Sequence, residues 1–470
     1  MLPFSAHIPF IHTREIPQGA EPFARLSAWF EHTGAAALVS GGERARFSYL
    51  MAEPVAEAVL AYDDPREAET FLRDATAFVR PEDHHPGLPP FTGGVVGLAG
   101  FELGLRLESL KRRPFRIEGR GVWPDLVVRL YTSVLAFDHV GGSLTAIGRG
   151  RTQADAEAAS RRLAALYDAT AEKAPLDGAL ADGPLRLETP DDVHEDKVAA
   201  VVRQIHAGDL FQANLARGWT GRLKSGVTPG DVATLLHARG PAPFGAMLRL
   251  GERAIVSNSP ERFIRVGNGR AMESEPIKGT RPRGKTPEED ASLAAELLNS
   301  AKDRAENLMI VDLMRHDLSR VAEVGSVIVP HLNRLQSFAN VHHLVSTVLG
   351  TLAEGRTAAD VLTASFPPGS ISGAPKVQAM KVISEMEAAR GPYCGSLFFI
   401  DAGGAMDSNV LIRTLAFERD DHKAWQFRAA AGGGIVADSD PREERIETET
   451  KLSLIRAVLE GRAYTNGHKE

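Results

Sequence analysis

Apolar and polar positions divide the chain into stretches of different rhythm. Over residues 1–150 short apolar runs alternate with Gly, Pro and Asp breaks; Ala35 to Ser40, Phe91 to Ala99 and Ser133 to Phe137 read as strands. Asp155 to Ala169 is alanine-rich with Leu163 and Leu166 on one side, which predicts a helix. Pro175 to Pro190 has little periodicity. It predicts a linker, so that residues 151–190 join an N-terminal region, 1–150, to a second region, 191–462. There, a helix from Val193 to His206 stops at Gly208, and Phe211 to Arg217 forms a short strand. Arg262 to Ala271 is strand-like, Ala301–Val321 and Val377–Ala389 are helical, and Val410-Leu411-Ile412 is an apolar strand ending on Arg413. The connection from Arg413 to Gly432, rich in Asp and Lys, predicts an exposed hairpin tip. The pattern shows strands mixed with helices and goes no further.

Between the strand-like run and the next helix lies Glu275-Pro276-Ile277-Lys278-Gly279-Thr280-Arg281-Pro282-Arg283-Gly284, expected to be a loop. Thr286 is placed to cap the helix, Pro287 to start it and Glu289 to complete a capping box. Gly279 lets backbone approach a ligand, and the N–H groups of Gly279 and Thr280 suit an anion. Lys278, between Ile277 and Gly279, is set where burial favours a neutral, nucleophilic amine. A solvated lysine in a surface turn is the commoner state of such a residue.

Composition narrows the functions. With 470 residues, 43% hydrophobic and 24% charged, the chain has ordinary globular character and length for two or three domains or one large duplicated one. A net charge of −7 without a basic block argues against nucleic acid. No apolar run reaches membrane-spanning length. Met1-Leu2-Pro3-Phe4-Ser5-Ala6-His7 lacks a charged n-region, so no signal peptide and a cytoplasmic location are expected. The single cysteine, Cys394, excludes an internal disulfide framework. It sits in Pro392-Tyr393-Cys394-Gly395-Ser396, not on a glycine-rich nucleophile elbow, so if the protein uses glutamine its glutaminase must be another chain.

Two acidic pairs suggest a metal. Asp303 and Glu306 are three apart on one predicted helix; Glu444 and Glu447 repeat the spacing on another, capped by Asp440 and begun by Pro441. Acids near a helix start also simply answer its dipole. Together the four present the hard oxygens that Mg²⁺ takes, with water completing the shell.

Several stretches resemble the chorismate-utilising enzymes, in their aminodeoxychorismate synthase form. They are Pro276-Ile277-Lys278-Gly279-Thr280, Ser259-Pro260-Glu261-Arg262-Phe263, Ala305 to Leu313, His343-Leu344-Val345-Ser346, Phe366 to Lys376 and Glu444 to Lys451. The resemblance is strong over residues 190–460 and weak over the first 150. It implies an α+β fold, antiparallel sheets packed as a sandwich with outer helices. It implies conversion of chorismate and ammonia to 4-amino-4-deoxychorismate with Mg²⁺, the ammonia coming from a separate glutamine amidotransferase subunit. By the same resemblance Lys278 is the nucleophile, Glu261 the general acid and His343 a proton relay. Gln212 stands where water-adding relatives carry a basic lysine, which favours amination. Tyr393, Arg413, Lys451 and the backbone of Gly432, Gly433 and Gly434 bind substrate, and Glu306 and Glu447 are the chief metal ligands. His316 departs from the asparagine usual at its position. The nearest alternative is an anthranilate synthase component I, whose relatives usually carry alanine in place of Lys278 and which eliminates pyruvate. A non-catalytic chorismate-binding regulatory subunit is the alternative of another class.

Overall fold

The computed structural model describes residue 4 and residues 6–17, 22–42, 45–337 and 341–462. Met1 to Pro3 and Ser5, part of the stretch inspected for a leader, lie outside them. The fold is α+β: a 12-stranded and a 10-stranded sheet, with antiparallel pairings throughout, lie face to face. Strand alternation decides what each face meets. Val96, Leu98, Leu397 and Phe399 of the smaller sheet pack between the sheets against Tyr49, Ala136, Ile255 and Ala416 of the larger one. Their neighbours Val95, Val128 and Phe398 point outward to helices Ala68–Ala75, Phe101–Leu107 and Ala301–Ser319. On the other side Leu415, Phe417 and Phe427 meet helices Gln153–Ala169, Pro229–Arg239 and Pro441–Glu460.

Both sheets draw strands from both sequence regions. Ala36–Val39 pairs with Phe244–Leu250, and Gly94–Ala99 pairs with Ser396–Asp401. The stretch expected to be a linker is partly built in: Leu180 and Ala181 are buried, and Arg186–Leu187 pairs with Gln212–Arg222.

The helices expected from Asp155 and from Val193 are present, each beginning two residues earlier. Gln153–Ala169 starts from a Thr152–Asp155 capping box, and Asp191–His206 ends just before Gly208. Thr286 caps Pro287–Asn299 through the Glu289 N–H, but the Glu289 carboxylate accepts from Lys285 N–H, so that box is incomplete. The helix expected to reach Ala389 ends at Met386. Asp421, His422 and Lys423 form an exposed tip between Thr414–Arg419 and Trp425–Ile435.

Two readings are corrected. The run from Arg262 to Ala271 breaks at a turn, giving strands Arg262–Val266 and Ala271–Ser274. The lysine segment is no loop: Ile277–Pro282 is an edge strand paired with Val341–Thr351. Its register slips between Lys278 and Thr280, where Gly279 takes φ +73°. A glycine bulge of this kind re-aims the side chains beside it. A Cβ on Gly279 would stand 2.8 Å from Leu297 and 3.0 Å from Asp303, so glycine is required there twice over.

Candidate active site

The lysine strand lies at one edge of the smaller sheet, and strands Trp425–Ile435 and Gln212–Arg222 lie near one edge of the larger. Their meeting builds the site. Gly434 pairs with Asn214 and Gly432 with Ala216, all four facing the space between the sheets; Gly433 faces the opposite side. A Cβ on Gly434 would stand 2.9 Å from Gln212 Nε2 and 3.4 Å from Lys278 Nζ. A Cβ on Gly433 would stand 2.6 Å from Glu444 Oε2 and 3.9 Å from Glu447 Oε2. Gly433 and Gly434 therefore form a floor, with amine and amide above it and carboxylates below.

Glu261 follows strand Arg253–Ser259 and is buried; Ser259 Oγ accepts its N–H at 3.2 Å. Burial pushes its carboxyl above the usual range. The Ser370 hydroxyl and the charges of Lys278 and Lys451 pull part of the way back. A carboxyl whose acid form is favoured by burial, beside an amine, is suited to be a general acid.

Helix Ala301–Ser319 brings Glu306, and helix Pro441–Glu460 brings Glu444, Glu447 and Lys451. Burial raises Glu306, with Lys278 and Lys302 opposing. Burial also raises Glu444, whose Oε1 accepts from Ser439 Oγ at 2.6 Å while its buried Oε2 has no partner. Burial would raise Glu447 too, but Lys451, Lys278 and Lys302 hold it below the usual range. Lys451 Nζ reaches Glu447 at 2.6 Å and the Gly432 carbonyl at 2.8 Å. Asp303 stands under the bulge, 3.3 Å from Arg281, within electrostatic reach of Glu306.

Among the described residues no three His, Cys, Asp or Glu side chains gather into a ready-made metal centre. The carboxylates nevertheless suit Mg²⁺ in kind, since that ion uses one or two protein carboxylates and keeps several waters. Mutual repulsion of Glu444 and Glu447 and the partnerless Glu444 oxygen are what a cation would relieve.

His343 lies on Val341–Thr351 beside the bulge. Its Nδ1 is 2.9 Å from the Thr280 hydroxyl and 3.4 Å from the Gly279 carbonyl, an arrangement that suits an Nδ1–H donor. Burial lowers it to about 4, so the imidazole is neutral at pH 7. Its neighbour His342 is structural: buried, it bonds Asp290 at 2.9 Å and Ser337 at 2.8 Å, tying the start of helix Pro287–Asn299 to the sheet. Arg413, exposed, sits within electrostatic reach of His343. Its φ of +50° is a left-handed backbone that costs a non-glycine residue about 1–3 kcal/mol, as is common where function fixes a side chain. Tyr393 is buried with Arg390 5.9 Å from its ring, and Cys394 lies within electrostatic reach of Glu261. Burial pushes the Cys394 thiol up to about 12, which removes it as a nucleophile. His316 is 73% exposed near the C-terminal end of its helix, away from the site carboxylates.

Two contributors went unrecognised in the sequence. Ser370, within the Phe366 to Lys376 stretch, bonds the Glu261 carboxyl group. Lys302, one turn before Glu306, acts on all three of Glu306, Glu444 and Glu447. The spacing from Glu306 was the signal for Lys302; nothing local pointed from Ser370 to Glu261.

A family model described as chorismate binding enzyme matches residues 35–457. The chain belongs to the chorismate-binding enzyme family. Aminodeoxychorismate synthase component 1 of Klebsiella aerogenes is 39% identical to this chorismate-binding enzyme over 464 residues, 94% of this chain and 95% of the relative. Anthranilate synthase component 1 of Thermus thermophilus is 40% identical over 394 residues, 80% of each. Among solved structures, anthranilate synthase component I from Streptococcus pneumoniae superposes with a TM-score of 0.76 at 29% identity, covering 89% of this chain and 94% of that one. Among the described residues no helix is long and apolar enough to cross a membrane.

Proposed function

We propose that this chain is the chorismate-aminating component of an aminodeoxychorismate synthase, converting chorismate and ammonia to 4-amino-4-deoxychorismate. The observation that carries the reading is Lys278 Nζ standing over the glycine floor beside Gln212. The Klebsiella relative's name agrees with it. Lys278, once it has given up its proton, adds through Nζ to C2 of the ring; the double bonds shift, and the C4 hydroxyl leaves with the Glu261 proton as water. Ammonia then adds at C4, the double bonds shift back, and the C2–Nζ bond breaks. The proton released from the new amine returns to Glu261. The enolpyruvyl group stays on the ring. Arg413 and the glycine N–H groups grip the substrate carboxylates, a bidentate task to which guanidinium is suited. The neutral His343 orients Thr280 and the bulge beside the amine.

Glu306 and Glu447, with Glu444 beside them, are the residues that would hold Mg²⁺, which supplies positive charge to a substrate carboxylate. Glu306→Gln or Glu447→Gln is expected to abolish Mg²⁺-dependent turnover and weaken Mg²⁺ binding in calorimetric titration, with little change in unfolding temperature. Asp303→Asn, already engaged with Arg281, is expected to be milder. Wild-type Mg²⁺ affinity and turnover in Glu306→Gln would remove the assignment.

The buried, unreactive Cys394 offers no glutaminase nucleophile, so the nitrogen source in this reading is a separate glutamine amidotransferase subunit. The test is the purified chain with chorismate, Mg²⁺ and ammonium, products identified by mass. The expected product is the 4-amino compound without pyruvate, and no product from glutamine until the second subunit is added. The Thermus relative's name supports the rival reading, anthranilate formation, and pyruvate release would decide for it.

A further inference from the structure

Two side chains in the site are left with unanswered hydrogen-bonding groups. Gln212 Oε1, Gln212 Nε2 and Asn214 Oδ1 are all buried and none has a partner. Gln212 is 0% and Asn214 6% exposed. The two residues stand two apart on one strand and so share its inward face. Asn214 sits directly opposite Gly434, and the Gln212 amide and Lys278 amine converge above that glycine. Backbone demands nearby are already met: Asn214 N–H donates to Ser372 O at 2.9 Å, and Arg390 Nη2 donates to Asn214 O at 2.7 Å. A buried polar atom without a partner is costly, and native proteins nearly always satisfy it. Three on one strand face, beside a nucleophilic amine, require a small polar occupant.

We propose that Asn214, with Gln212, is the seat of the ammonia that attacks C4. This deepens the function proposed above and rests on it. Ammonia has three N–H donors and one lone pair. Two amide oxygens, Gln212 Oε1 and Asn214 Oδ1, take two of the donors and leave the lone pair free for carbon, while Gln212 Nε2 is left to donate to the bound substrate. Amide oxygens carry no charge, so this buried seat favours NH₃ over NH₄⁺, which has no lone pair to give. When the C4–N bond forms and the C2–Nζ bond of Lys278 breaks, the surplus ammonia proton passes to the Glu261 carboxylate. Asn214 thereby becomes a substrate-binding residue for the nitrogen donor.

The experiment compares wild type, Asn214→Leu and Asn214→Ser, measuring KM for ammonium and for chorismate separately, together with unfolding temperature. Leucine has similar volume and no acceptor. It is expected to raise the ammonium KM about tenfold, the equivalent of one lost hydrogen bond, and to leave the chorismate KM within about twofold. Because it also removes an unsatisfied buried oxygen, the ligand-free variant should unfold at the same temperature as wild type or higher; a structural asparagine would give the reverse. Serine keeps an acceptor oxygen and should lie between the two, and it serves alone if the leucine variant does not fold. An unchanged ammonium KM, or both KM values rising together, overturns the proposal and leaves a seat for buried water only. If wild type itself releases no aminated product, the parent reading fails first. If wild type aminates and Asn214→Leu keeps its ammonium KM, only the ammonia seat falls.

Discussion

Replacing Lys278 by alanine is expected to end formation of 4-amino-4-deoxychorismate and to redirect what chemistry remains. Supplied with chorismate and Mg²⁺ but no ammonia, the wild-type chain should accumulate a covalent ring adduct. Intact-protein mass shows the increment, and peptide mapping places it on Lys278. Lys278→Ala forms no adduct, and its 4-amino product should fall below about one hundredth of wild type, a barrier rise of ~2.7 kcal/mol. Residual turnover then comes from direct attack of ammonia at C2, giving an aminodeoxyisochorismate-type product. The geometry makes this variant clean. Lys278 is half-buried and its Nζ lies over Gly434 beside the Gln212 amide, so truncation to alanine leaves the backbone of the floor in place. Lys278→Arg should do no better, because guanidinium stays protonated and cannot add to carbon. A Lys278→Ala chain that makes the 4-amino product at the wild-type rate would refute the covalent route and remove the main reason for preferring amination at C4 over anthranilate formation.

Glu261→Gln is expected to cost about 10²–10⁴-fold in turnover, the range of a lost general acid. The pH dependence fixes the sign. Burial raises the folded-state pKa of Glu261, so its acid form persists to a higher pH than an exposed glutamate allows. Activity that depends on this proton is therefore complete at pH values below that raised pKa and declines as pH rises through it. The profile must be taken at constant free ammonia, since the nucleophile's own fraction grows with pH. In Glu261→Gln that descending limb should be absent from the small residual rate. Glutamine closely imitates a protonated glutamate, so the variant should fold with nearly unchanged stability, and circular dichroism with thermal melting checks this. A wild-type rate in Glu261→Gln would assign the acid to another group.

What the sequence determined by itself was mostly local. Helix starts at Thr286 and Asp440 were legible because a cap is written in three or four adjacent residues and needs nothing distant. The chemistry-bearing residue types were legible as well, because the stretches around Lys278, Glu261, Glu306 and Glu447 resemble a known family. Tertiary structure decided the rest. Pro276 and Gly279 make residues 275–284 look like a loop; pairing with the His343 strand makes them an edge strand, and the bulge at Gly279 absorbs the glycine's positive φ. The glycine run said only that something approaches closely. Strand alternation against two different neighbours put Gly434 under the amine and Gly433 over the carboxylates. The segment from Pro175 to Pro190 read as a tether because it lacks periodicity, yet burial of Leu180 and Ala181 and pairing with Gln212–Arg222 tie it down. Ser370 meets Glu261, and Asn214 is left with an unanswered oxygen, only because two sheets built from both ends of the chain close over one space. Contacts between residues so far apart in sequence leave no periodic trace, since each is set by how faces pack and not by what stands next along the chain.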